Sequence, residues 1–408
     1  MKTTMVIPSY WGRKKEEGWK NTDSVYDHPT PLDEEGTLRR ALESLTILEN
    51  KNFELVILGV ATAEDIQAEV EERLEVIIKE TNPAVPTHLF SYTRLKHIHA
   101  HLAQNGRDDL IPLLQLDGYS NVRNLCVFVP HLLDSEISVL IDDDEIFEDR
   151  QFMDKAREHI GRTLGNDRVL AVAGYYINPD EDYFLHKEFL HWMTYWDKFD
   201  CMNRAFTKII AQEPRLKVTP FAFGGNLVIH RDLFTLIPFD PSIPRGEDID
   251  FLINARMFGF KTYLDNTLSI KHDAPPKTYP VWRRVREDIL RFVFEKNKLD
   301  AQEDIQDMVR VSADDLDPYP GEFLKEDLKE KVFWSNQMLA IDYLSQGEDK
   351  AALECLENIA LAHKSLNSKT NSFQDLLSLQ NKWKDLMEYF SSDRAAREIC
   401  SQIHLPRE

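Results

Sequence analysis

Between Ser138 and Phe147 the chain reads Ser-Val-Leu-Ile-Asp142-Asp143-Asp144-Glu145-Ile-Phe. A short apolar run meets consecutive carboxylates, the pattern of a buried strand whose C-terminal end delivers acidic side chains to a crevice. Carboxylates this close repel one another: at roughly 4 Å and an effective dielectric of about 20, each pair costs about 4 kcal/mol. A hard divalent cation, Mn2+ or Mg2+, relieves the repulsion, accepts oxygen ligands and keeps positions open for phosphate oxygens. The stretch is therefore a candidate to hold a metal–diphosphate complex. The plainer alternative is an acidic turn capping the next helix, because Asp and Glu favour helix N-termini.

Other residues could complete such a site. Gly246-Glu247-Asp248 opens an apolar helix expected to end near Gly259; these acids either cap the helix or place a general base at the mouth of the crevice. Gly224-Gly225-Asn226 precedes a strand, and paired glycines let backbone approach a ligand closely. His272 ends the strand-like run from Leu268, where an imidazole can complete an Mn2+ site or serve structure alone. Arg123 and Asn124 lie in the first turn of an apolar helix, Val122 to Leu133, that leads into the acidic strand. Arg123 either pairs bidentately with phosphate or makes a surface ion pair. Arg283, Arg284 and Arg286 stand on a basic helix, near enough in sequence to fold over a diphosphate. His97, His99 and His101 point to different faces of a helix and read as surface residues.

The elements that must position these groups alternate. Met5 to Pro8 forms a first strand, followed by an irregular excursion to residue 36 and a helix carrying Leu38, Ala41, Leu42, Leu45 and Leu48. Phe53 to Val60 is a second strand. A capping-box-like Thr62-Ala-Glu-Asp65 opens the next helix, and His88 to Tyr92 is a third strand. Strand–helix alternation at this spacing means βαβ units and a parallel sheet. Further on, Phe152 to Leu164 reads as a helix, and Arg168 to Ile177, then Lys261 to Leu264, as strands. The aromatics from Tyr183 to Phe199 build core or floor an acceptor pocket. Past residue 300, acidic linker-like sequence runs to Pro318-Tyr-Pro320, and helical patterns follow. Met338 to Leu361 looks like one tetratricopeptide unit, too few for a solenoid. The organisation expected is a catalytic domain over 1–298 and a helical accessory domain over 299–408, available for support, self-association or partner binding.

Composition narrows the class. In 408 residues the formal charge is −21, which disfavours non-specific binding to nucleic acid or an anionic membrane. No apolar run approaches the roughly 18 residues of a membrane span. The N-terminus enters a strand without a signal-peptide apolar region. Cys126, Cys201, Cys355 and Cys400 are scattered, without metal-ligand or redox spacing, and read as reduced thiols. A cytoplasmic location is the expectation.

Taken together, the order of elements resembles the inverting GT-A glycosyltransferases, especially the large family-2 group, over roughly residues 1–290. The resemblance rests on Val6-Ile-Pro8-Ser9-Tyr10, Arg123-Asn124, the aspartate cluster, Gly224-Gly225-Asn226, Gly246-Glu247-Asp248 and His272. It implies a GT-A (Rossmann-like), mostly parallel α/β sheet flanked by helices, with a C-terminal all-α region. It implies a metal-dependent transferase that moves a sugar from a nucleotide-diphosphate donor to an acceptor hydroxyl: a glycan, a small molecule or a lipid headgroup. Pro8, Ser9 and Tyr10 would line the nucleobase, and Asp142 would face the ribose or the metal. Asp144, Asp142 and His272 would hold Mn2+ or Mg2+. Arg123, Asn124, Asp143, Gly225, Arg283, Arg284 and Arg286 would contact the donor. Asp248, or less favourably Glu247, would deprotonate the acceptor. The second strand departs from the family: it ends Leu58-Gly59-Val60-Ala61, without the acidic pair that commonly reads the base. A GDP- or other nucleotide-linked donor therefore stays open. A retaining GT-A enzyme and a non-catalytic carbohydrate- or partner-binding module are the alternatives. A sugar-1-phosphate nucleotidyltransferase fits poorly, since Ser9-Tyr-Trp-Gly12-Arg13 supplies a single glycine.

Overall fold

The structure, a computed structural model, describes residues 1–20, 22–275, 280–368 and 370–392. Strand and helix alternate from the start: β1 (Thr3–Gly12), the short β2 (Thr30–Pro31), α1 (Leu38–Ser44), β3 (Glu54–Ala61), α2 (Gln67–Thr81), β4 (Thr87–Phe90) and α3 (Tyr92–Gln104). Next come α4 (Tyr119–Leu132), β5 (Ile137–Leu140), β6 (Glu145–Ile146), α5 (Phe152–Glu158), and the β7–β8 hairpin (Thr163–Leu164 with Asp167–Arg168). They are followed by β9 (Ala171–Ile177), α6 (Lys198–Ile209), β10 (Leu216–Val218), β11 (Leu227–His230), α7 (Arg231–Phe234), α8 (Glu247–Met257), β12 (Thr262–His272) and α9 (Val281–Asp300). Beyond them lie α10 (Leu328–Ser345), α11 (Asp349–Leu366) and α12 (Ser372–Ser392).

The main sheet has the order β10-β12-β9-β11-β5-β1-β3-β4, with β2 attached to β1 and β6 to β12. β1 is parallel to β3 and β5, β3 to β4, and β9 to β12, whereas β11 is antiparallel to both of its neighbours. This is the mostly parallel sheet flanked by helices that the alternation predicts. Both faces are covered. Val6 joins one core cluster with α4, while Met5 and Ile7 join the other with α1 and α2. Burial on both faces explains why β1 and β3 read as nearly continuous apolar runs. The chain leaves β1 towards β3 on one side and returns at β5 on the other. A reversal of this kind opens a crevice beyond the C-terminal strand ends, and the acidic run lies just past β5.

Three expectations about elements are corrected. Lys261–Leu264 and Leu268–His272 are one strand, β12, with a register shift between Leu264 and Ser269. At the irregularity the Asp265 carboxylate accepts hydrogen bonds from Arg215 and from the Thr267 backbone. Helix α5 stops at Glu158, because Gly161 and Gly165 both adopt positive φ and turn the chain into the β7–β8 hairpin. Of the three histidines on α3, only His97 is exposed. His99 Nε2 lies 2.7 Å from the Leu114 carbonyl oxygen, and His101 packs against Tyr389 and Phe390.

The C-terminal helices divide their packing. α10 and α11 lie against α9, with Cys355 and Leu339 in the third core cluster. α12 also lies against α9, with Phe373 and Leu376 in the third cluster, and then reaches α4: Trp383, Leu386, Met387 and Phe390 belong to the same cluster as Val6 and Phe128. Phe390 meets Phe128 edge-on at 5.0 Å, and Trp383 Nε1 donates to the Phe234 carbonyl at 2.8 Å. Cys126, Cys201 and Cys355 are free and buried. Cys400, with the rest of 393–408, lies outside the described residues. No helix among the described residues is long and apolar enough to cross a membrane.

Candidate active site

The acidic run leaves β5 at the crevice and is at once returned to the sheet. β6 pairs antiparallel with β12, setting Glu145 opposite His272. That pairing brings His272 Nε2 to 3.4 Å from Asp144 Oδ2. The imidazole is stacked on Tyr176 with ring centres 4.6 Å apart. Tyr176 in turn accepts a hydrogen bond from the Gly225 backbone N–H at 2.9 Å.

Asp142 turns the other way. Arg123, only 4 % exposed, places Nη2 2.8 Å from Asp142 Oδ1, while its Nε donates to Glu247 Oε1 at 3.3 Å. One guanidinium from α4 thus joins the strand-end acids to the start of α8. Arg123 is not a surface ion pair. A buried arginine bridging two carboxylates is costly to assemble but, once assembled, strongly fixes relative position.

The four acids occupy different environments. Burial pushes Asp142 up, partly offset by Arg123. Burial, then the neighbouring Asp144 charge, pushes Asp143 up to about 8; its Oδ2 accepts from Ser9 Oγ at 2.7 Å. Burial also pushes at Asp144, but its hydrogen bond and charge interaction with His272 leave it below the usual carboxylate range. Glu145 is fully buried, pushed well up by desolvation and then by Asp142 and Asp144, and accepts the Asp142 backbone N–H at 3.0 Å. Divergent proton affinities among adjacent carboxylates are a feature of functional sites.

The paired glycines are explained by this crowding. A Cβ on Gly225 would lie 2.0 Å from Glu145 Oε1 and 2.7 Å from the Asp142 carboxyl carbon, and one on Gly224 would lie 2.7 Å from Arg123 Nη2. Gly246 has φ +74, and a Cβ there would strike the Arg291 guanidinium at 2.4 Å. Beneath α8, Lys298 is held by Asp250 at 2.7 Å and Asp240 at 3.1 Å in a fully buried cluster. The turn bearing Glu247 and Asp248 therefore rests on a rigid base. Glu247 is buried, and burial followed by the adjacent Asp248 pushes its pKa up; Asp248 keeps partial exposure.

Other expected contacts divide. Pro8, Ser9 and Tyr10 lie in the C-terminal half of β1, which runs on to Gly12. Asn124 is occupied at both ends: it donates to the Phe239 carbonyl at 2.9 Å and accepts the Phe239 N–H at 2.8 Å. Arg283 lies in the first turn of α9, its guanidinium 5.9 Å from the Trp19 ring centre. Arg284 keeps a buried Nε with no hydrogen-bond partner among the described residues. Arg286 turns to the accessory helices, donating to Asn358 at 2.6 Å and Glu354 at 2.7 Å. Sequence reasoning overlooked Tyr176, whose signal was its place at the end of a strand beside the Gly-Gly loop. It also overlooked Arg245, which donates to Asp27 and Glu287 and so pins the 13–36 excursion beside α8.

No group of three or more His, Cys, Asp or Glu side chains among the described residues is arranged to hold a metal ion. What is present is an oxygen and nitrogen donor set, Asp142, Asp144 and His272, with buried Glu145 Oε1 lacking a hydrogen-bond partner among the described residues. Carboxylate oxygens and an imidazole nitrogen are donor types that Mn2+ accepts.

No family model matches the chain, and no curated protein matches it. Among solved structures it is similar to a mannosyltransferase from Pyrobaculum calidifontis in complex with GDP-Man and Mn2+. The identity is 12%, the TM-score 0.45, and the match covers 96% of this chain and 88% of that one. It is also similar to GalNAc-T7 with UDP, GalNAc and Mn2+, at 13% identity and a TM-score of 0.35, over 82% of this chain and 55% of that one. A mycobacterial protein is similar at 15% identity and a TM-score of 0.37, over 72% of each chain.

Proposed function

We propose that the chain is a metal-dependent glycosyltransferase of GT-A type that transfers a sugar from a nucleotide diphosphate to an acceptor hydroxyl with inversion. The observation that carries this reading is the joining of two distant acidic segments by one buried guanidinium: Asp142–Arg123 at 2.8 Å and Arg123–Glu247 at 3.3 Å. On this reading the strand-end acids and the α8 acids border one crevice.

Asp142, Asp144 and His272 would hold the divalent cation, which when bound neutralises charge on the departing diphosphate. Ser9 and Tyr10, in the C-terminal half of β1, would border the nucleotide. Arg283 and Arg284, in the first turn of α9, supply further positive charge where the leaving group develops its own. Asp248, part-exposed at the start of α8, accepts the acceptor hydroxyl's proton as that oxygen attacks the anomeric carbon. The Arg123 bridge and the Lys298 cluster hold the two halves in fixed relation, so little reorganisation is needed at the reacting centre. Exposed Ile341, Leu344, Leu353 and Leu356 on α10 and α11 support self-association through the C-terminal helices.

The test is transfer from a panel of sugar nucleotides with Mn2+, the product anomer being assigned by NMR. An inverted product is expected, and Asp248→Asn should lower the rate by about 10²–10⁴ while leaving nucleotide binding intact. A retained anomer would rule out Asp248 as the base.

A further inference from the structure

β3 ends in Gly59-Val60-Ala61-Thr62, without a carboxylate. The structure nevertheless brings one there from elsewhere. Ser24, on the excursion after β1, donates its backbone N–H to the Thr62 carbonyl at 2.8 Å and its hydroxyl to Asp117 Oδ1. Asp117 stands just before α4 and is exposed. A single serine thus spans from the end of β3 to the Asp117 carboxylate.

Beside it lies an aromatic wall. Tyr10 and Tyr26 have ring centres 4.5 Å apart, Tyr10 and Tyr119 5.7 Å, and Tyr26 meets Tyr119 edge-on at 5.2 Å. Tyr26 is buried, whereas Tyr10 and Tyr119 keep partial exposure. The Tyr26 hydroxyl accepts the Gly118 N–H at 3.0 Å and donates to Asp117. Tyr10 and Asp117 are therefore linked through one tyrosine. Tyr10 also carries a buried hydroxyl with no hydrogen-bond partner among the described residues.

We infer that Asp117 reads the base of the nucleotide donor, and that the base it selects is guanine; this rests on the transferase reading above. A carboxylate is acceptor-only and has about four lone-pair sites, of which Ser24 and Tyr26 use two. Guanine presents its ring N1–H and exocyclic N2–H side by side, two donors that match the two oxygens of one carboxylate. Uracil offers one N–H between two carbonyls, and adenine an amine beside a ring acceptor; both set a lone pair against the carboxylate. The aromatic wall offers stacking area to any base, so the discrimination lies with Asp117.

The experiment is calorimetric titration of the full chain, with Mn2+, against GDP, inosine diphosphate, UDP and ADP. GDP should bind at least tenfold tighter than UDP and ADP. It should also bind severalfold tighter than inosine diphosphate, which lacks only the exocyclic amine, a comparison that needs no variant. Asp117→Asn should bring the GDP-to-UDP ratio close to one. Ser24→Ala, which loosens the excursion but leaves the carboxylate, should weaken all four nucleotides alike and keep the ratio. UDP or ADP binding tighter than GDP, or a ratio unchanged in Asp117→Asn, would overturn the assignment while leaving the transferase reading in place. No binding by any of the four would overturn both.

Discussion

Arg123 is the side chain whose loss should be felt on both sides of the crevice at once. Replacing it by alanine leaves buried Glu247 and part-exposed Asp142 without their shared counter-charge. Breaking a buried ion pair from one side typically costs about 3–5 kcal/mol. Arg123→Ala should therefore lower the unfolding free energy by that order, read as a fall in the urea midpoint at unchanged slope. Arg123→Lys should recover part of the stability but not the two-ended contact, because a single ammonium cannot match a planar fork. Unchanged stability in Arg123→Ala would mean that the two acidic segments are held in place by other contacts. Much of this was legible beforehand: an apolar run ending in carboxylates, a Gly-Gly pair and a Gly-Glu-Asp turn each announce themselves by composition. The contact of Arg123 with both acids was not, since an arginine in a first helical turn is equally compatible with a ligand, a surface pair or a buried bridge. Nor was the occupation of Asn124 by the Phe239 backbone, which depends on a loop whose path no periodicity encodes.

At the level of elements, the edge of the sheet carries a testable charge cluster. Glu54, at the start of β3, meets His88 Nε2 at 2.8 Å on β4 and Lys2 Nζ at 2.9 Å before β1. The His88 hydrogen bond, working against burial and helped by Lys2, lowers the Glu54 pKa from 4.5 to about 2. A depressed carboxylate stabilises the fold at pH above its unfolded value, and that stability is lost as pH falls through the folded one. Glu54→Gln should accordingly cost on the order of 3 kcal/mol at pH 7, and less as the pH falls from about 5 to 2. Urea titrations of both forms across that range check it; a pH-independent difference would refute the linkage. Elements were read well where both faces are buried, as in β1, β3 and β5. They were read less well where a polar interruption intervened: Asp265, Asn266 and Thr267 split β12 in the sequence but only shift its register in the fold.

For the molecule as a whole, α12 decides how separable the C-terminal region is. Trp383 is fully buried against α7 and shares a core with the first strand. Trp383→Ala should destabilise by about 3–5 kcal/mol, and the loss should appear in the same cooperative transition reported by probes near β1. A second, separate transition for the helical region would contradict this. The change of character near residue 300 was visible in composition, yet it could not reveal that one helix returns to the opposite cluster, because an amphipathic stripe does not name its partner.

That return has a bearing on biosynthesis. The hydrophobic interior around Val6 lacks one wall until residues 372–392 have left the ribosome, so β1 must wait for much later sequence before it is fully sealed. Nascent chains halted upstream of Ser372 should remain sensitive to protease and bound to chaperones, whereas chains in which Phe390 has left the ribosome should fold.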